Sequence, residues 1–236
     1  LPKETSEAFL RQLTKGADAC AVGFGTTIVG GDTKETEEIT LCGTAFGTVR
    51  KDEFMPRRGS KPGDVVAVTG TLGKAGAGYY ALERNKKEKK LSKALLEPQP
   101  RIQEGRLLAR QHSVSTCMDL SDGLSASLYQ LQEVNAVGFE IQKNALPLAE
   151  GLTLLAAHNQ MMNPFSIALH FGGDYELLVT IPKKKFQQTK KVLQKNGVQL
   201  TAIGAVTQKK RIVLLENGKK TPLGNKGYEH FKPHQF

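Results

Sequence analysis

The sequence contains no tryptophan, and only three cysteines and five histidines among its 236 residues. The cysteines, Cys20, Cys42 and Cys117, are scattered and lack the close spacing of a zinc-binding motif. Their odd number argues against a disulfide framework and favours a reducing compartment, so we expect a cytoplasmic protein. No apolar run approaches the ~20 residues that a membrane-spanning helix needs, which argues against membrane association.

Positive charge exceeds negative charge, with a formal net charge of +10 at pH 7. Nucleic acid must therefore be considered as a partner. The positive residues lie in short lysine-rich runs without interleaved aromatics, over residues 86–90, 183–185 and 209–211. A solvated surface explains such runs better than a nucleic-acid interface, so we do not expect nucleic acid as a partner. A positive field also favours a small anionic substrate.

Apolar periodicity predicts helices and strands that alternate loosely along the chain. Helical spacing predicts helices over residues 4–15, 70–82, 91–96, 102–110, 124–134, 149–158, 164–169 and 183–195. Apolar and β-branched runs between turn residues predict strands over residues 19–29, 38–49, 65–69, 114–118, 137–141, 177–180, 199–205 and 211–215. The predicted fold class is therefore mixed α/β, in two units that meet between residues 53 and 54. Residues 84–90 are expected to form a charged linker.

The stretch from Val114 to Leu124, VSTCMDLSDGL, carries the strongest site signal. Three oxygen-bearing side chains, those of Asp119, Ser121 and Asp122, crowd a strand-to-helix turn, where N–H groups and the helix dipole favour anions. Capping alone would select Ser or Asp at this place. Two neighbouring carboxylates, however, repel each other unless a cation lies between them. A plain cap and a metal or phosphate site both remain open.

Two further stretches are candidates for phosphate binding. Gly30-Gly31-Asp32-Thr33 follows a predicted strand, and its glycines allow the backbone to approach a ligand closely. An ordinary hairpin turn would use the same residues. Arg57 and Arg58, in the loop before the strand at 65–69, could be phosphate ligands or surface residues.

The glycine-rich stretch over residues 70–78 resembles a P-loop only superficially. Gly73-Lys74 is followed by Ala75, where a P-loop has Ser or Thr, and the four-residue gap before the final Gly-Lys is missing. These glycines instead predict close packing between helices.

Five motifs occur in one order along the chain. They are GGDT at 30–33, RRGSKPGD at 57–64, DLSDGL at 119–124, GGDYEL at 172–177 and GYEHF at 227–231. The set resembles the thiamine-monophosphate kinase family, within the wider aminoimidazole-ribonucleotide-synthetase-like superfamily. The resemblance implies that superfamily's two-domain α/β fold. It also implies transfer of the γ-phosphoryl group of ATP to thiamine monophosphate, with several Mg²⁺ ions and no covalent phospho-enzyme.

The same resemblance implies roles for individual residues. ATP would be bound by Gly31, Asp32, Arg57 and Ser121. Magnesium would be bound by Asp32, Asp119 and Asp122. The acceptor would be bound by Gly173, Asp174 and Tyr228, since an aromatic face suits a cationic thiazolium ring. Phosphoryl transfer needs positioning and charge neutralisation more than a nucleophile, which agrees with the absence of a Ser-His-Asp or Cys-His pattern.

This sequence departs from the family pattern at Gly173. Many relatives have GEDYEL at this motif, and the Glu contacts substrate. The carboxylate is thus either missing here or supplied by Asp174 or Glu176. This departure keeps a second hypothesis open, another ATP-dependent enzyme of the same superfamily. A third hypothesis is a non-catalytic basic protein that binds nucleic acid or an acidic partner.

The family's first acidic motifs would lie upstream of Leu1. The resemblance therefore implies that residues 1–53 are a remnant of an N-terminal ATP-binding and dimerisation domain. Residues 54–236 would form a C-terminal α/β domain, and the full-length protein would be a homodimer. We expect this polypeptide by itself to be inactive, because several Mg²⁺ ligands would be missing.

Overall fold

The computed structural model describes residues 1–83, 89–158 and 162–228. It divides into two compact units, Leu1–Val49 and Arg50–Phe236. The predicted linker over residues 84–90 lies mostly outside the described residues, as do residues 229–231 of the last motif. The assignment of residues 1–53 to a domain remnant stays a prediction.

The first unit contains one long helix, α1 (Glu7–Gly23). The Ser6 hydroxyl caps it by accepting a hydrogen bond of 3.3 Å from the Phe9 N–H, and Glu7 places a negative charge in the first turn. The helix predicted over residues 4–15 is thus confirmed, but it continues for two further turns. None of its residues is buried, so its apolar face has no cover within this unit.

The two strands predicted at 19–29 and 38–49 are wrong. Residues 19–23 continue α1, and residues 24–49 contain no strand. The β-branched residues that suggested strands are exposed, for example Ile28 at 52%, Val29 at 74% and Ile39 at 53%. A strand requires a neighbouring ladder for its N–H and C=O groups. No such ladder forms among the described residues of this unit, so β propensity alone does not produce strands.

The second unit is built on a seven-stranded mixed sheet in the order β2-β4-β1-β5-β3-β6-β7. The strands are β1 (Val65–Thr69), β2 (Thr116–Asp119), β3 (Gly138–Gln142), β4 (Leu177–Ile181), β5 (Leu200–Thr207), β6 (Ile212–Glu216) and β7 (Lys219–Pro222). Neighbouring strands are antiparallel except β3 and β6. The predictions missed β7 because its sequence, KKTP, is wholly exposed and polar, as suits an edge strand.

Helices cover both faces of this sheet. They are α2 (Lys74–Glu83), α3 (Lys89–Leu96), α4 (Ile102–Arg110), α5 (Leu124–Asn135), α6 (Glu150–His158), α7 (Pro164–His170) and α8 (Lys183–Lys195), with a 3₁₀ helix at Lys143–Ala145. Successive residues of a strand point to opposite faces. Accordingly Val66 and Val68 pack in one hydrophobic cluster and Ala67 packs in the other. The predicted mixed α/β class is confirmed.

Three of the four glycines in the stretch at 70–78 lie where helices meet, whereas Gly70 lies against the Glu176 carboxylate. A Cβ added at Gly76 would overlap the Ile167 side chain, and one added at Gly78 would lie 2.5 Å from the Leu91 carbonyl oxygen. The sequence prediction that the glycines serve helix packing is confirmed for Gly76 and Gly78. Within the described ranges, no helix has both the length and the apolarity needed to cross a bilayer.

The three thiols differ in environment, which predicts different reactivity. Cys20 and Cys42 are exposed, whereas burial, with a smaller contribution from Asp119, raises the pKa of Cys117 to about 12. Because the thiolate is the reactive species, we expect Cys117 to react with Ellman's reagent at least about a hundredfold more slowly than the other two. Loss of the slow phase in Cys117→Ser would assign it. Three equally fast thiols would contradict the prediction.

Candidate functional site

The predicted site turn joins β2 to α5. Asp119 is the last residue of β2, paired with Leu177 of β4, and α5 begins at Leu124. The N-cap residue of α5 is Gly123, and no side chain makes a capping hydrogen bond there. The plain-cap interpretation of Ser121 and Asp122 is therefore wrong. Their side chains remain available at a helix N-terminus, where free N–H groups favour anions.

The loop of the GGDYEL motif packs directly on this turn. The N–H of Gly173 donates to the Ser121 carbonyl at 2.8 Å, and the N–H of Tyr175 donates to the Leu120 carbonyl at 3.2 Å. Gly123 has φ of +94° and lies close to the end of α7. An added Cβ at Gly123 would be 2.7 Å from the His170 carbonyl oxygen. Glycine is therefore required at this position for both conformation and space.

The beginning of the C-terminal motif lies on the first turn of α5. The N–H of Tyr228 donates to the Asp122 carbonyl at 3.1 Å. A Cβ at Gly227 would be 2.5 Å from both the Asp122 carbonyl oxygen and the Ala126 Cβ. The described parts of three motifs, separated by about fifty residues each, thus meet at one place. The remaining residues of the last motif, 229–231, lie outside the described part of the chain.

One carboxylate, that of Asp119, and one guanidinium group, that of Arg57, are exposed at this meeting point. An Arg57 Nη atom lies 3.9 Å from Asp119 Oδ1, with side-chain exposures of 56% and 43%. The other Nη of Arg57 donates to Gln130 Oε1 at 3.4 Å. An exposed pair at this distance adds little to stability. Both groups are therefore free to exchange partners with a ligand.

The described residues do not by themselves form a complete metal site. In the parts of the chain that the structure describes, no cluster of three or more His, Cys, Asp or Glu side chains could hold an ion. Magnesium in phosphate-transfer sites is commonly held by one or two carboxylates together with substrate phosphate oxygens. Asp119 and Asp122 fit that donor set.

Gly31 and Asp32 lie in the first unit. Asp32 Oδ1 accepts a hydrogen bond of 2.8 Å from the Thr33 N–H, and its other oxygen lies 3.9 Å from Lys34 Nζ. The predicted hairpin alternative is wrong, because no strand flanks this segment. Gly31 has no atom within 4 Å of an added Cβ, so the backbone here is open.

Two carboxylates are candidates to replace the one missing at Gly173, those of Asp174 and Glu176. Both already accept hydrogen bonds from other groups of the protein. Asp174 accepts hydrogen bonds from the N–H groups of Gly73 at 2.5 Å and Ala75 at 2.9 Å, at the start of α2. Burial raises the pKa of Asp174, and those N–H groups and Lys74 oppose the rise. The substrate role of Asp174 stays a prediction.

Glu176 is fully buried and is the centre of an ion-pair network that the sequence did not indicate. It pairs with Lys74, accepts a hydrogen bond of 2.9 Å from an Arg101 Nη, and accepts one of 2.8 Å from the Thr69 hydroxyl. These partners lie 75 to 107 residues away along the chain. No local pattern could have revealed them.

An open, mostly apolar pocket lies beside Asp119. Its other lining residues are Pro98, Pro100, Arg101, Ile102, Tyr175 and Leu177. Tyr175 has φ of +50°, which is unusual for an aromatic residue. The pocket therefore places apolar surface next to the exposed carboxylate.

Comparison with known proteins agrees with this architecture. The family described as AIR synthase related protein, C-terminal domain, matches residues 61–216. The thiamine-monophosphate kinase of Methanospirillum hungatei is 35% identical over 225 residues, which cover 95% of this chain and 70% of that protein. The thiamine-monophosphate kinase of Buchnera aphidicola (from Acyrthosiphon pisum) is 32% identical, covering 97% of this chain and 69% of that protein.

The chain belongs to the thiamine-monophosphate kinase family. The predicted resemblance is confirmed, and with it the enzyme class of the chain, a kinase or phosphotransferase. The solved structure of AaThiL complexed with AMPPCP and TMP has a TM-score of 0.78 and 26% identity, covering 98% of this chain and 71% of that one. The E. coli hydrogenase maturation protein HypE, at 21% identity and a TM-score of 0.75, shares the fold. The aminoimidazole-ribonucleotide-synthetase-like fold is thus confirmed.

In this thiamine-monophosphate kinase family member, the buried His170 makes the free energy of unfolding depend on pH in the acid range. His170 is 8% exposed, and its Nδ1 is 2.8 Å from the Ser125 hydroxyl of α5. Burial, and secondarily Lys226, lowers the pKa of His170 to about 4. As the pH falls, the unfolded chain binds a proton on His170 before the folded chain does. The contribution of His170 to the free energy of unfolding is therefore fully present above pH 6.5 and is lost as the pH decreases towards 4. We expect a loss of about 2 kcal/mol over that interval.

Urea unfolding at several pH values tests the His170 prediction. His170→Asn retains a group that can bond to Ser125 but does not titrate. The difference in unfolding free energy between wild type and variant should therefore shrink or reverse as the pH falls from 6.5 to 4. A difference that does not vary with pH would contradict the assignment.

Proposed function

We propose that this kinase transfers the γ-phosphoryl group of ATP to the phosphate of thiamine monophosphate, giving thiamine diphosphate and ADP. One observation carries the proposal most directly. The DLSDGL motif, the GGDYEL motif and Tyr228 of the last motif meet by backbone hydrogen bonds around the partly exposed turn from Asp119 to Asp122. A relative of 26% identity is complexed with both AMPPCP and TMP, which supports the same pair of ligands here.

Magnesium would be held by Asp119 and Asp122 together with phosphate oxygens, and by Asp32 from the first unit. When bound, the metal neutralises charge on the phosphates. The two carboxylates at this turn suit this hard cation, since Mg²⁺ prefers oxygen ligands and keeps substrate phosphates in its coordination shell.

The chain's own residues would bind and orient the two substrates. Arg57 and Gly31 would contact the nucleotide, and the Ser121 hydroxyl would hydrogen-bond to it beside the uncapped N-terminus of α5. A phosphate oxygen of the acceptor then forms a bond to the γ-phosphorus while the bond to the ADP oxygen breaks. This step requires alignment of the two phosphates, and no protein nucleophile.

The acceptor ring would lie near Tyr228, which is 41% exposed beside Asp122. An aromatic face stabilises a thiazolium cation. Gly173 and Asp174 would border the same place. Gly173 has φ of +86°, so a glutamate there would need a strained backbone. We therefore expect acceptor binding here without a carboxylate from position 173.

The proposal also covers assembly and location. We propose a homodimer in the cytoplasm, without nucleic acid or membrane partners. The scattered cysteines suit a reducing compartment, and light scattering of the purified protein would test the dimer.

Isothermal titration calorimetry separates the hypotheses. The protein is titrated first with AMPPCP in Mg²⁺ and then with thiamine monophosphate. We expect nucleotide binding that EDTA abolishes, and acceptor binding that thiamine without its phosphate does not reproduce. Nucleotide binding without acceptor binding would favour another enzyme of the superfamily. Salt-sensitive DNA binding without nucleotide binding would overturn the kinase proposal.

A further inference from the structure

Asn135, the last residue of α5, uses its side chain to hold the loop that carries Arg57. Asn135 Oδ1 accepts hydrogen bonds from the N–H of Gly59 at 2.7 Å and from the N–H of Ser60 at 3.0 Å. Its Nδ2 donates to the Arg57 carbonyl at 2.9 Å. Three backbone groups of one loop therefore bind to a single side chain that lies 75 to 78 residues further along the chain.

The far side of the same loop is anchored to the sheet. The Ser60 hydroxyl lies 3.1 Å from the hydroxyls of Thr116 in β2 and Thr180 in β4. Gly59 lies against Ser115, and an added Cβ would be 2.5 Å from the Ser115 carbonyl oxygen. The sheet thus fixes Ser60, while Asn135 fixes the segment from Arg57 to Gly59.

The Arg57 side chain extends from this loop along α5 towards Asp119. Gln130, on the same helix as Asn135, accepts a long hydrogen bond of 3.4 Å from the Arg57 guanidinium group. The guanidinium end is 3.9 Å from Asp119 Oδ1. The C-terminal end of helix α5 therefore holds the loop with Arg57. The N-terminal end of the same helix adjoins the turn with Asp119 and Asp122.

We propose that Asn135 is a positioning residue for Arg57, which sets the guanidinium beside Asp119 so that the guanidinium, and a magnesium ion that Asp119 would hold, bind the phosphates of one nucleotide. This inference rests on the proposed function, because it assumes that Arg57 contacts nucleotide phosphates. Asn135 touches neither nucleotide nor metal and acts only through Arg57. A long arginine side chain on an unsupported loop would lose rotational and backbone freedom on binding, and that entropic cost would weaken affinity.

A purely structural role for Asn135 makes a different prediction. Its Nδ2 also donates to the Leu131 carbonyl at 2.8 Å, which stabilises the end of α5. Loss of that bond alone would lower the melting temperature. Any change in nucleotide affinity would then be the same with and without Arg57. The coupling between Asn135 and Arg57 separates the two roles.

A double-mutant cycle on nucleotide binding tests the proposal. The Kd for AMPPCP with Mg²⁺ is measured by calorimetry for wild type, Asn135→Ala, Arg57→Ala and the double variant, with melting temperatures alongside. We expect Asn135→Ala to raise Kd about fivefold in the presence of Arg57. In the Arg57→Ala background it should change Kd by less than about twofold. Glu133→Ala, an exposed substitution on the same helix, should leave Kd unchanged.

The outcomes are distinguishable. An equal effect of Asn135→Ala with and without Arg57, or no effect at all, overturns the positioning role. A wild-type Kd for Arg57→Ala removes Arg57 from the nucleotide site and overturns this inference, while binding of the analogue would still support the proposed function. The cycle is repeated with Asn135→Asp, which keeps an acceptor for the Gly59 and Ser60 N–H groups but loses the donor to the Arg57 carbonyl. We expect a smaller rise in Kd that again disappears in the Arg57→Ala background, and a rise that persists there would overturn the positioning role.

Discussion

Asp122→Asn and Asp119→Asn are each expected to weaken AMPPCP binding in Mg²⁺ at least about a hundredfold, which corresponds to about 2.7 kcal/mol. Asparagine has the same shape and removes only the charge that would hold the metal. Neither carboxylate caps α5, so the turn itself should persist. Calorimetry with and without EDTA measures the effect directly.

The control for these variants is Glu133→Gln, which removes an exposed carboxylate from the same helix. It should leave the analogue's Kd unchanged. If Asp119→Asn and Asp122→Asn both bind the analogue as wild type does, the turn does not hold the metal, and the kinase site lies elsewhere on the protein.

Glu176→Gln is expected to lower the free energy of unfolding by about 3 to 5 kcal/mol. The substitution conserves volume, so no cavity forms. It removes the buried negative charge that Lys74 and Arg101 share, and leaves these two cations, whose side chains are only 28% and 22% exposed, without their carboxylate partner. Urea unfolding followed by circular dichroism measures the change.

An exposed ion pair provides the matched comparison. Glu216 pairs with Lys143 at 2.7 Å, but its side chain is 48% exposed. Glu216→Gln should cost less than about 1 kcal/mol, because solvent screens the pair. If Glu176→Gln costs no more than Glu216→Gln, the buried network does not stabilise the fold.

Local sequence pattern was sufficient wherever neighbouring residues determine the structure. The helices at 102–110 and 183–195 were predicted with the bounds that the structure has. Both have apolar residues at helical spacing, and in both Pro or a charged turn marks the boundary. The strand at 65–69 was also predicted with its observed bounds, because turn formers precede a short apolar run.

The same reasoning was wrong at 19–29 and 38–49, where β-branched residues are frequent but the described residues provide no partner strand. It also missed β7, whose pairing with β6 gives hydrogen bonds to a polar segment. A strand forms only where another strand pairs with it, and the sequence of a segment does not show whether such a partner exists. Helix formation depends mainly on contacts within four residues, which the segment does contain.

By itself, the sequence determined the family, through the order of five motifs, and it determined that Asp119, Ser121 and Asp122 share a turn, because adjacent residues cannot separate. Only the tertiary structure decided which acidic residues are exposed and which are buried. It left Asp119 open to solvent beside Arg57, and enclosed Glu176 between Lys74 and Arg101. The physical reason is that burial and charge pairing arise from contacts between residues far apart in the chain, which no local pattern contains.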